Sequence, residues 1–364
     1  MKIIDPWIFQ SCFFLINPQK SPTGAQRLKR RLRKLPAARV VESRSRAHFI
    51  ESVRIFCSSD REYLLVYGGD GSIHTAINEI VRYGQCRRKI AVGFLRGGSG
   101  NGYQDSYSIP GPLGAQLSVF SESLRERFVM EVDLLKIASG EKTVYGQLVG
   151  IGFDARVLGR RDARQDSEKV QSGLFNYLLP ALLQFFRDFH RVHREYNFEL
   201  LYGGFENVRE CSGSRRLNRT VRCRMIEIGK RAFYGNRFRI CPDALCNSGC
   251  MEVYLFNFNR RVQVVRHMGS LWRGRYEKIN RKGRKPFVEH YRGKSIKLTT
   301  CSPIEVHVDG ELFYPVETED GICSITVSVV PHAISFVVPG EFYRKYRFSR
   351  SGGSVPFRLF YPFI

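Results

Sequence analysis

Short hydrophobic runs that end in glycine-rich turns are the dominant pattern in the first third of the chain. Three of these runs are typical of buried strands: Phe13–Ile16, Tyr63–Tyr67 and Lys89–Leu95. After the second run, apolar residues recur at helical spacing from Ile73, which predicts an amphipathic helix with Ser72 as its N-terminal cap. Strands that pass through a turn into a helix indicate a parallel α/β sheet, whose ligands bind at the carboxyl ends of the strands.

The pattern changes after about residue 130, where short runs rich in Val, Ile, Phe and Tyr become frequent. They predict a mostly antiparallel β-sandwich, interrupted by helical patterns near 172–190 and 261–275. We therefore predict an α/β domain at 1–131, a β-sandwich domain at 132–340 and a basic, aromatic tail at 341–364.

Composition narrows the class of partner. The chain has 58 Lys and Arg against 34 Asp and Glu, a net charge of +24, which favours polyanions such as nucleic acid, an anionic membrane or nucleotide phosphates. No zinc-finger, RNP or KH signature accompanies the basic runs, so nucleic acid is not the expected partner. The ten cysteines lack a paired framework, which predicts a reducing, cytoplasmic compartment.

No stretch of the sequence reaches the ~18 apolar residues that a membrane-spanning helix needs. Leu174–Phe186 is apolar but short, and the segment Phe342–Phe363 combines aromatic with basic residues. Together with the net charge of +24, these segments predict peripheral association with an anionic membrane surface.

Gly68-Gly69-Asp70-Gly71 follows the second strand pattern. Glycines allow backbone N–H groups to approach phosphate oxygens, and the positive N-terminus of the following helix favours the same anion. A carboxylate inside such a loop suits Mg²⁺ or a substrate hydroxyl better than bare phosphate. A tight turn with a helix cap explains the same string without a ligand.

A second glycine-rich turn, Gly97-Gly98-Ser99-Gly100-Asn101, follows the third strand pattern about thirty residues later. Two such turns at one edge of a sheet can enclose a nucleotide from both sides. The Ser hydroxyl and the Asn amide can donate hydrogen bonds to phosphate or ribose. Alone, this string predicts only a loop.

Asp309-Gly310-Glu311 follows a strand pattern at Ile304–Val308. Two carboxylates at the end of a strand suit a general base, which removes a proton from an attacking hydroxyl. Asp-Gly is also a strong hairpin signal, so a plain turn is the alternative at this point.

The order of these motifs resembles the diacylglycerol kinase catalytic superfamily, which includes sphingosine and ceramide kinases and bacterial lipid kinases. The resemblance runs from about residue 12 to 339, and no single string in it is specific. The motifs that carry it are Asn17-Pro18 with Ser21 and Gly24, Gly68-Gly69-Asp70-Gly71, Gly98-Ser99-Gly100-Asn101, Val132-Asp133, Gly152-Phe153-Asp154-Ala155, Gly173 with Tyr177, Pro242-Asp243-Ala244 and Val308-Asp309-Gly310-Glu311.

This resemblance implies an ATP- and Mg²⁺-dependent lipid kinase, with a nucleotide-binding N-terminal domain and a lipid-substrate domain after it. It implies Glu311, Asp309 and Asp70 as catalytic residues, with Asp70 also serving the metal, and Asp133 and Asp154 as lipid-substrate residues. The ATP-binding residues that it implies are Asn17, Gly68, Gly69, Gly71, Ser72, Gly98, Ser99 and Asn101.

Several positions depart from the diacylglycerol-type pattern. Gly102 stands where those members have Asp, and His74 matches a residue of sphingosine kinases. Thr75 replaces a usual Glu, Arg96 stands where Pro is common, and Asn247-Ser248-Gly249 replaces the Asp-Asp-Gly of many bacterial members, which puts their structural metal site in doubt. These departures favour a sphingoid base or ceramide as the acceptor.

Two other functions fit parts of the sequence. NAD kinases share the Gly-Gly-Asp-Gly loop and a two-domain plan, but they are not expected to combine it with Gly-Ser-Gly-Asn and Asp-Gly-Glu in this order. A non-catalytic lipid- or nucleotide-binding relative is the other alternative, although the presence of both Asp70 and Glu311 argues against it.

Overall fold

The computed structural model describes residues 6–35, 38–83, 90–156, 158–159, 194–201, 216–235, 237–280 and 285–347. The predicted helix near 172–190, the apolar stretch Leu174–Phe186, the motif residues Gly173 and Tyr177, and the part of the predicted tail after Arg347 lie outside the described residues. Among the residues that are described, no helix has the length and apolar character needed to cross a membrane.

The described chain contains strands and helices in the order expected of an α/β region followed by a β-rich region. The strands are β1 Cys12–Ile16, β2 Arg39–Glu42, β3 Tyr63–Gly68, β4 Ala91–Arg96, β5 Val129–Ser139, β6 Lys142–Gly146, β7 Leu148–Gly152, β8 Arg194–Leu201, β9 Arg216–Cys223, β10 Met225–Gly229, β11 Met251–Phe256, β12 Val288–Gly293, β13 Ser295–Thr300, β14 Val306–Val308, β15 Glu311–Phe313 and β16 Cys323–Val337. The helices are α1 Pro22–Leu32, α2 Arg46–Ser58, α3 Asp70–Arg82, α4 Gly102–Ser106, α5 Leu113–Arg125, α6 Arg261–Trp272 and α7 Gly340–Tyr346, and short 3₁₀ helices lie at Pro6–Phe9 and Tyr276–Lys278.

The N-terminal strands form a parallel sheet in the order β2-β1-β3-β4. All five residues of β1 are buried, as is nearly all of β3, because helices cover the sheet and leave no solvated face. The predicted parallel α/β domain is confirmed, and the ends of β3 and β4 lie side by side, with Gly68 opposite Arg96.

The C-terminal region is a β-sandwich, as predicted. Its first sheet continues the N-terminal one: the 15-residue strand β16 pairs in parallel with β4 near Phe336 and antiparallel with β5 and β13. The second sheet is antiparallel throughout, in the order β12-β11-β10-β7-β14-β15. Apolar residues from both sheets, such as Ile151, Leu298 and Val327, fill the space between them.

Helix α3 begins earlier than predicted. Gly69 is its N-cap, and the Gly69 carbonyl accepts hydrogen bonds from the backbone N–H groups of Ser72 and Ile73. The Ser72 hydroxyl does not cap the helix, because it accepts a hydrogen bond from the Asn17 side chain instead. Asp70 and Gly71 therefore belong to the first turn of the helix rather than to a loop before it.

The chain returns to the N-terminal domain at its end. Val337, Val338, Phe342 and Tyr346 are buried in the same core as β1 and β3, and the Phe342 ring lies 5.0 Å from the Tyr107 ring. The first part of the segment predicted as a tail is thus a helix, α7, packed on the N-terminal core, because its aromatic residues bury apolar surface there. The boundary between 131 and 132 stays a prediction.

Candidate active site

The two glycine-rich turns touch at the carboxyl edge of the parallel sheet. The Gly97 N–H donates to the Gly68 carbonyl at 3.1 Å. A Cβ atom on Gly98 would lie 2.3 Å from the Gly69 Cα. A side chain at position 98 would therefore push the two turns apart, and the glycine allows their close contact. The structure therefore brings together Gly68, Gly69 and Gly98, three of the residues implied in ATP binding.

The N-terminus of α3 lies directly beside these turns. Asn17, which follows β1, donates from Nδ2 to the Ser72 Oγ at 2.9 Å and so holds the first turn of the helix against the end of β1. The first N–H groups of a helix lack partners within the helix and carry a partial positive charge, which makes this end suitable for phosphate. Asn17, Gly71 and Ser72 all lie at this anion-binding position.

The second turn is closed by its own side chain. Asn101 adopts a left-handed conformation with φ of 55°. Its amide donates to the Gly98 carbonyl at 2.8 Å, and its Oδ1 accepts from the Gly98 N–H at 3.1 Å. Ser99 is exposed at the tip of the turn. Asn101 thus shapes the turn, whereas Ser99 is free to meet a ligand.

Asp70 ties the two turns together. Its carboxylate accepts hydrogen bonds from the backbone N–H groups of Gly102 at 3.0 Å and Tyr103 at 2.9 Å, both in the first turn of α4. Burial raises the pKa of Asp70 above its usual value, although the charge of Arg231 and these two hydrogen bonds act in the opposite direction. The side chain keeps partial exposure, so its remaining lone pairs can reach a ligand between the turns.

Glu311 lies at the first turn of α3, on a hairpin from the other domain. It begins β15 and pairs with Val308 of β14. A Cβ atom on Gly71 would lie 2.3 Å from the Glu311 Oε1, so the glycine makes room for this carboxylate. The side chain is 40% exposed, and the nearest cation, Arg46, lies 3.9 Å from Oε2. Glu311 is therefore an accessible carboxylate beside the anion-binding end of α3.

Asp309, predicted to supply the base together with Glu311, lies in a network of hydrogen bonds between the two domains. Its side chain is fully buried, and both oxygens are occupied by hydrogen bonds and an ion pair. The partners are His74, Tyr103, the backbone N–H groups of Gln147 and Leu148, and the Arg231 guanidinium. Burial disfavours ionisation, but the hydrogen bond from His74 and the charge of Arg231 outweigh it and lower the pKa of Asp309. Asp309 joins the two domains and positions the hairpin that carries Glu311.

Asp133, predicted as a lipid-substrate residue, lies in the interior beside Lys230. Its side chain and that of Lys230 are both fully buried, and the two charges are 2.8 Å apart. Asp133 also accepts from the backbone N–H groups of Gly249 and His332 at 2.7 and 3.1 Å. Lys230 donates further to the Ser248 Oγ and the Cys250 carbonyl. The pair cross-links three segments inside the protein.

Asp154, the other predicted lipid-substrate residue, lies in a different polar cluster. It forms an ion pair with His307, which is fully buried, while 17% of the Asp154 side chain is exposed. Glu227 of β10 completes this cluster. Because His307 is buried and pairs with Asp154, it has no access to a lipid hydroxyl.

Sequence reasoning missed Arg231 and Lys230. Arg231 contacts Asp309, and its guanidinium also lies 4.4 Å from the centre of the Tyr103 ring, so it links the motif carboxylate to α4. Both residues follow the buried strand β10, where a charge needs a buried partner. The two adjacent cationic residues after an apolar run could have indicated buried ion pairs. The sequence did not indicate which carboxylates these residues contact.

The departures that favoured a sphingoid acceptor have packing roles in the structure. A Cβ atom on Gly102 would lie 2.2 Å from the Tyr234 carbonyl, so no side chain fits there. His74 is buried between Asp309 and Asn78. Arg96 is held by Asp105 and the Ile109 carbonyl. These positions therefore do not distinguish one lipid acceptor from another.

The chemistry of the described carboxylates can be compared with what Mg²⁺ requires. This ion prefers oxygen ligands and is bound through one or two carboxylates together with substrate phosphates. Asp70 fits this requirement because the residue keeps partial exposure beside the N-terminus of α3. Asp133 and Asp309 do not fit, because their oxygens are buried and occupied.

Comparison with known families agrees with this arrangement of fold and site. Residues 11–137 match the diacylglycerol kinase catalytic domain, and residues 147–338, more than half of the chain, match the YegS C-terminal NAD kinase beta sandwich-like domain. The chain therefore belongs to the diacylglycerol kinase catalytic domain family, with the domain pair of YegS-like lipid kinases. Family membership indicates a kinase.

Individual proteins give the same result at lower similarity. A diacylglycerol kinase of Mycobacterium tuberculosis is 21% identical over 280 residues, which cover 76% of each chain. A crystal structure from Bacillus anthracis str. Sterne aligns with a TM-score of 0.65 and 14% identity over 92% of this chain and 97% of that one. Another crystal structure, of a diacylglycerol kinase from the same organism, aligns with a TM-score of 0.59 and 12% identity. The alignment covers 92% of this chain and 98% of that one. The predicted superfamily is confirmed, and the closer likeness to sphingosine or ceramide kinases stays a prediction.

Proposed function

We propose that this protein transfers the γ-phosphate of ATP to a lipid hydroxyl, and that Glu311 is the general base. The observation that carries the proposal is the position of Glu311: an accessible carboxylate that lies against Gly71, at the anion-binding end of α3. A phosphate bound by the glycine turns and a hydroxyl beside Glu311 would meet at this point.

An apolar cavity beside the same hairpin supports a lipid as the acceptor. It has a volume of about 320 Å³, and its lining includes Leu312 and Phe313, the two residues after Glu311, together with Ala155 and Ile304. Ligand pockets of this size are typically apolar with a few polar groups. The cavity borders the hairpin that carries Glu311, and we propose it as the place for the acyl chain.

In this mechanism the chain's own residues position the reactants and move one proton. Backbone N–H groups at the glycine turns and at α3 hold the phosphates, and Glu311 takes the proton from the attacking hydroxyl. Asp70 fixes the two turns relative to each other through its hydrogen bonds to Gly102 and Tyr103. Mg²⁺ held by Asp70 would offset the charge that spreads over the phosphate oxygens, which leaves Glu311 free to act as the base.

We propose diacylglycerol, a neutral acceptor, ahead of a sphingoid base. Three of the sequence departures that pointed to a sphingoid base, Gly102, His74 and Arg96, have packing roles. The carboxylate that borders the cavity, Glu305, is ion-paired with Arg156 and Arg194, so it is not available to an amine. A protonated sphingoid base would need such a carboxylate.

The experiment is the transfer of labelled phosphate from ATP to mixed micelles that contain diacylglycerol, sphingosine or ceramide, with NAD as a separate acceptor. We expect labelled phosphatidic acid with Mg²⁺ present and little product after chelation. Labelling of sphingosine or ceramide alone would correct the acceptor but keep the lipid kinase. Labelling of NAD alone, or of no acceptor, would contradict the proposal.

Helix α6 supports the proposal that the enzyme works at an anionic membrane. Val262, Val265 and Met268 are 65%, 49% and 37% exposed, and their spacing of three residues places them along one side of the helix. Arg260 and Arg266 are exposed beside them. Exposed apolar residues with flanking arginines favour shallow insertion between anionic headgroups.

We expect the double substitution V262D/V265D to reduce binding to vesicles that contain phosphatidylserine by about tenfold or more, because two inserted side chains are lost. Vesicle sedimentation at low and high salt measures this, and binding of the unmodified protein should weaken as salt screens the arginines. The control is Ile55→Asp, on the 41% exposed Ile55 of α2. Equal binding to neutral and anionic vesicles, or an equal loss in the control, would contradict α6 as the docking surface.

A further inference from the structure

Three neighbouring strands of the six-stranded sheet place two titratable residues on either side of a glycine. In the register of the sheet, Gly150 of β7 lies opposite Glu227 of β10 on one side and opposite His307 of β14 on the other. Residues directly opposite each other in an antiparallel pair project from the same face. Glu227 and His307 therefore flank a position that has no side chain.

Asp154 fills that position from the turn after β7. A Cβ atom on Gly150 would lie 2.0 Å from the Asp154 Oδ2 and 2.2 Å from the His307 Nε2, so the glycine creates the space in which these groups meet. One ligand atom each from Asp154, Glu227 and His307 lies within 4.8 Å of the others. An imidazole nitrogen and two carboxylate oxygens thus converge on one point.

Two oxygens of this cluster have no hydrogen-bond partner in the described part of the chain, Glu227 Oε2 and Asp154 Oδ1. Glu227 is only 1% exposed, so solvent does not satisfy its oxygen. Two buried carboxyl groups this close need either a shared proton or a cation between them, because burial disfavours two adjacent negative charges.

Without a cation, the cluster depends on protons. Burial raises the pKa of Glu227 well above its usual value, and the neighbouring Asp154 charge raises it further. For Asp154, burial acts in the same direction, but the charge of His307 outweighs it and lowers the pKa. A divalent cation between the two carboxylates would offset their charges in this buried position.

We propose that Asp154, Glu227 and His307 form a binding site for a divalent first-row transition metal. One nitrogen and two oxygens suit ions such as Mn²⁺ and Zn²⁺, which accept imidazole together with carboxylates. The partial exposure of Asp154 provides a path for the ion.

This site is separate from the candidate site of phosphate transfer. His307 pairs with Leu312 across the hairpin, whereas Glu311 pairs with Val308. Because successive residues of a strand project to opposite faces, His307 and Glu311 lie on opposite sides of the hairpin. The metal would hold β14 to β7 and β10 and so position the hairpin that carries Glu311.

The test is a titration of the chelator-treated full chain with Mn²⁺ in the absence of nucleotide. Electron paramagnetic resonance detects binding as a loss of the signal of the free ion. Mn²⁺ is the probe because it avoids thiolates, and this chain has ten cysteines. We expect one bound ion whose spectrum contains nitrogen hyperfine coupling. Glu227→Gln and Asp154→Asn should each weaken its binding by about 100-fold or more, since even outer partners of metal ligands contribute 10–100-fold.

Glu252→Gln is the matched control. Glu252 is also 1% exposed, lies on the neighbouring strand β11 and pairs with a histidine, His290, but it does not belong to the proposed ligand set. Its substitution should leave the affinity for Mn²⁺ within a few-fold. Asp154→Asn keeps the test open if the Glu227 variant does not fold, because Asp154 is partly exposed. The absence of a bound ion in the unmodified protein would overturn the site. So would an affinity for Mn²⁺ in both ligand variants that equals the affinity of the unmodified protein.

Discussion

Replacement of Glu311 by Gln is expected to lower kcat for phosphate transfer by ~10²–10⁴-fold, because a positioned base contributes about that factor. The amide keeps the shape of the side chain beside Gly71 but cannot accept the proton of the attacking hydroxyl. Since ATP would bind through the glycine turns and the N-terminus of α3, its affinity should remain similar. Steady-state kinetics with ATP and diacylglycerol, together with binding of a non-hydrolysable ATP analogue, separate these two quantities.

The matched control for this substitution is Glu317→Gln, which makes the same change at an exposed position shortly after β15. It should leave kcat within about twofold. If Glu311→Gln also stayed within a few-fold of the unmodified enzyme, Glu311 would not be the base. His307 is buried beside Asp154, so its substitution should act on stability and metal affinity.

Replacement of Lys230 by Met is expected to lower the free energy of unfolding by about 3–5 kcal/mol. The substitution leaves the fully buried Asp133 carboxylate without its ionic partner, and breaking a buried pair by removing one member typically costs that amount. Urea denaturation followed by circular dichroism measures the change. The double variant D133N/K230M should recover part of the loss, because it removes both charges together.

This prediction also tests the role of Asp133. If Asp133 held a lipid headgroup, Asp133→Asn would raise KM for the lipid while stability remained unchanged, and that result would contradict the structural role. Lys297→Met is the control for removal of a lysine, since Lys297 is exposed on β13 and its substitution should change stability by less than about 0.5 kcal/mol.

Local pattern was sufficient for the architecture. The hydrophobic runs before Gly68 and Gly97 predicted buried strands with their turns at one edge, and the structure pairs these strands in parallel as β3 and β4. Helical spacing from Ile73 predicted α3, although its start was placed at Ser72 instead of Asp70. That error arose because a serine is a common cap, while in this fold the Ser72 hydroxyl accepts a hydrogen bond from Asn17, 55 residues away.

The local hydrophobic pattern did not predict that the chain returns to its first domain. The short apolar runs after residue 130 predicted strands, but not that β16 extends to Val337 and joins β4. Likewise, the aromatic residues after Gly340 suggested a tail, because an aromatic-basic segment looks the same whether its rings lie in a core or at a surface. The rings of Phe342 and Tyr346 are buried because they pack on Tyr107 and the N-terminal sheet, which are distant in the sequence.

The sequence by itself determined the fold class and the family, because both depend on periodicity and on motifs that are contiguous in the chain. It did not determine which carboxylates can act. Asp70, Asp133, Asp309 and Glu311 all stand in recognisable motifs, yet Asp133 is neutralised by Lys230 and Asp309 by Arg231, each from another part of the chain. Glu311 remains accessible. A carboxylate's chemistry depends on its desolvation and on the charges around it, and in this protein only the tertiary structure decides both.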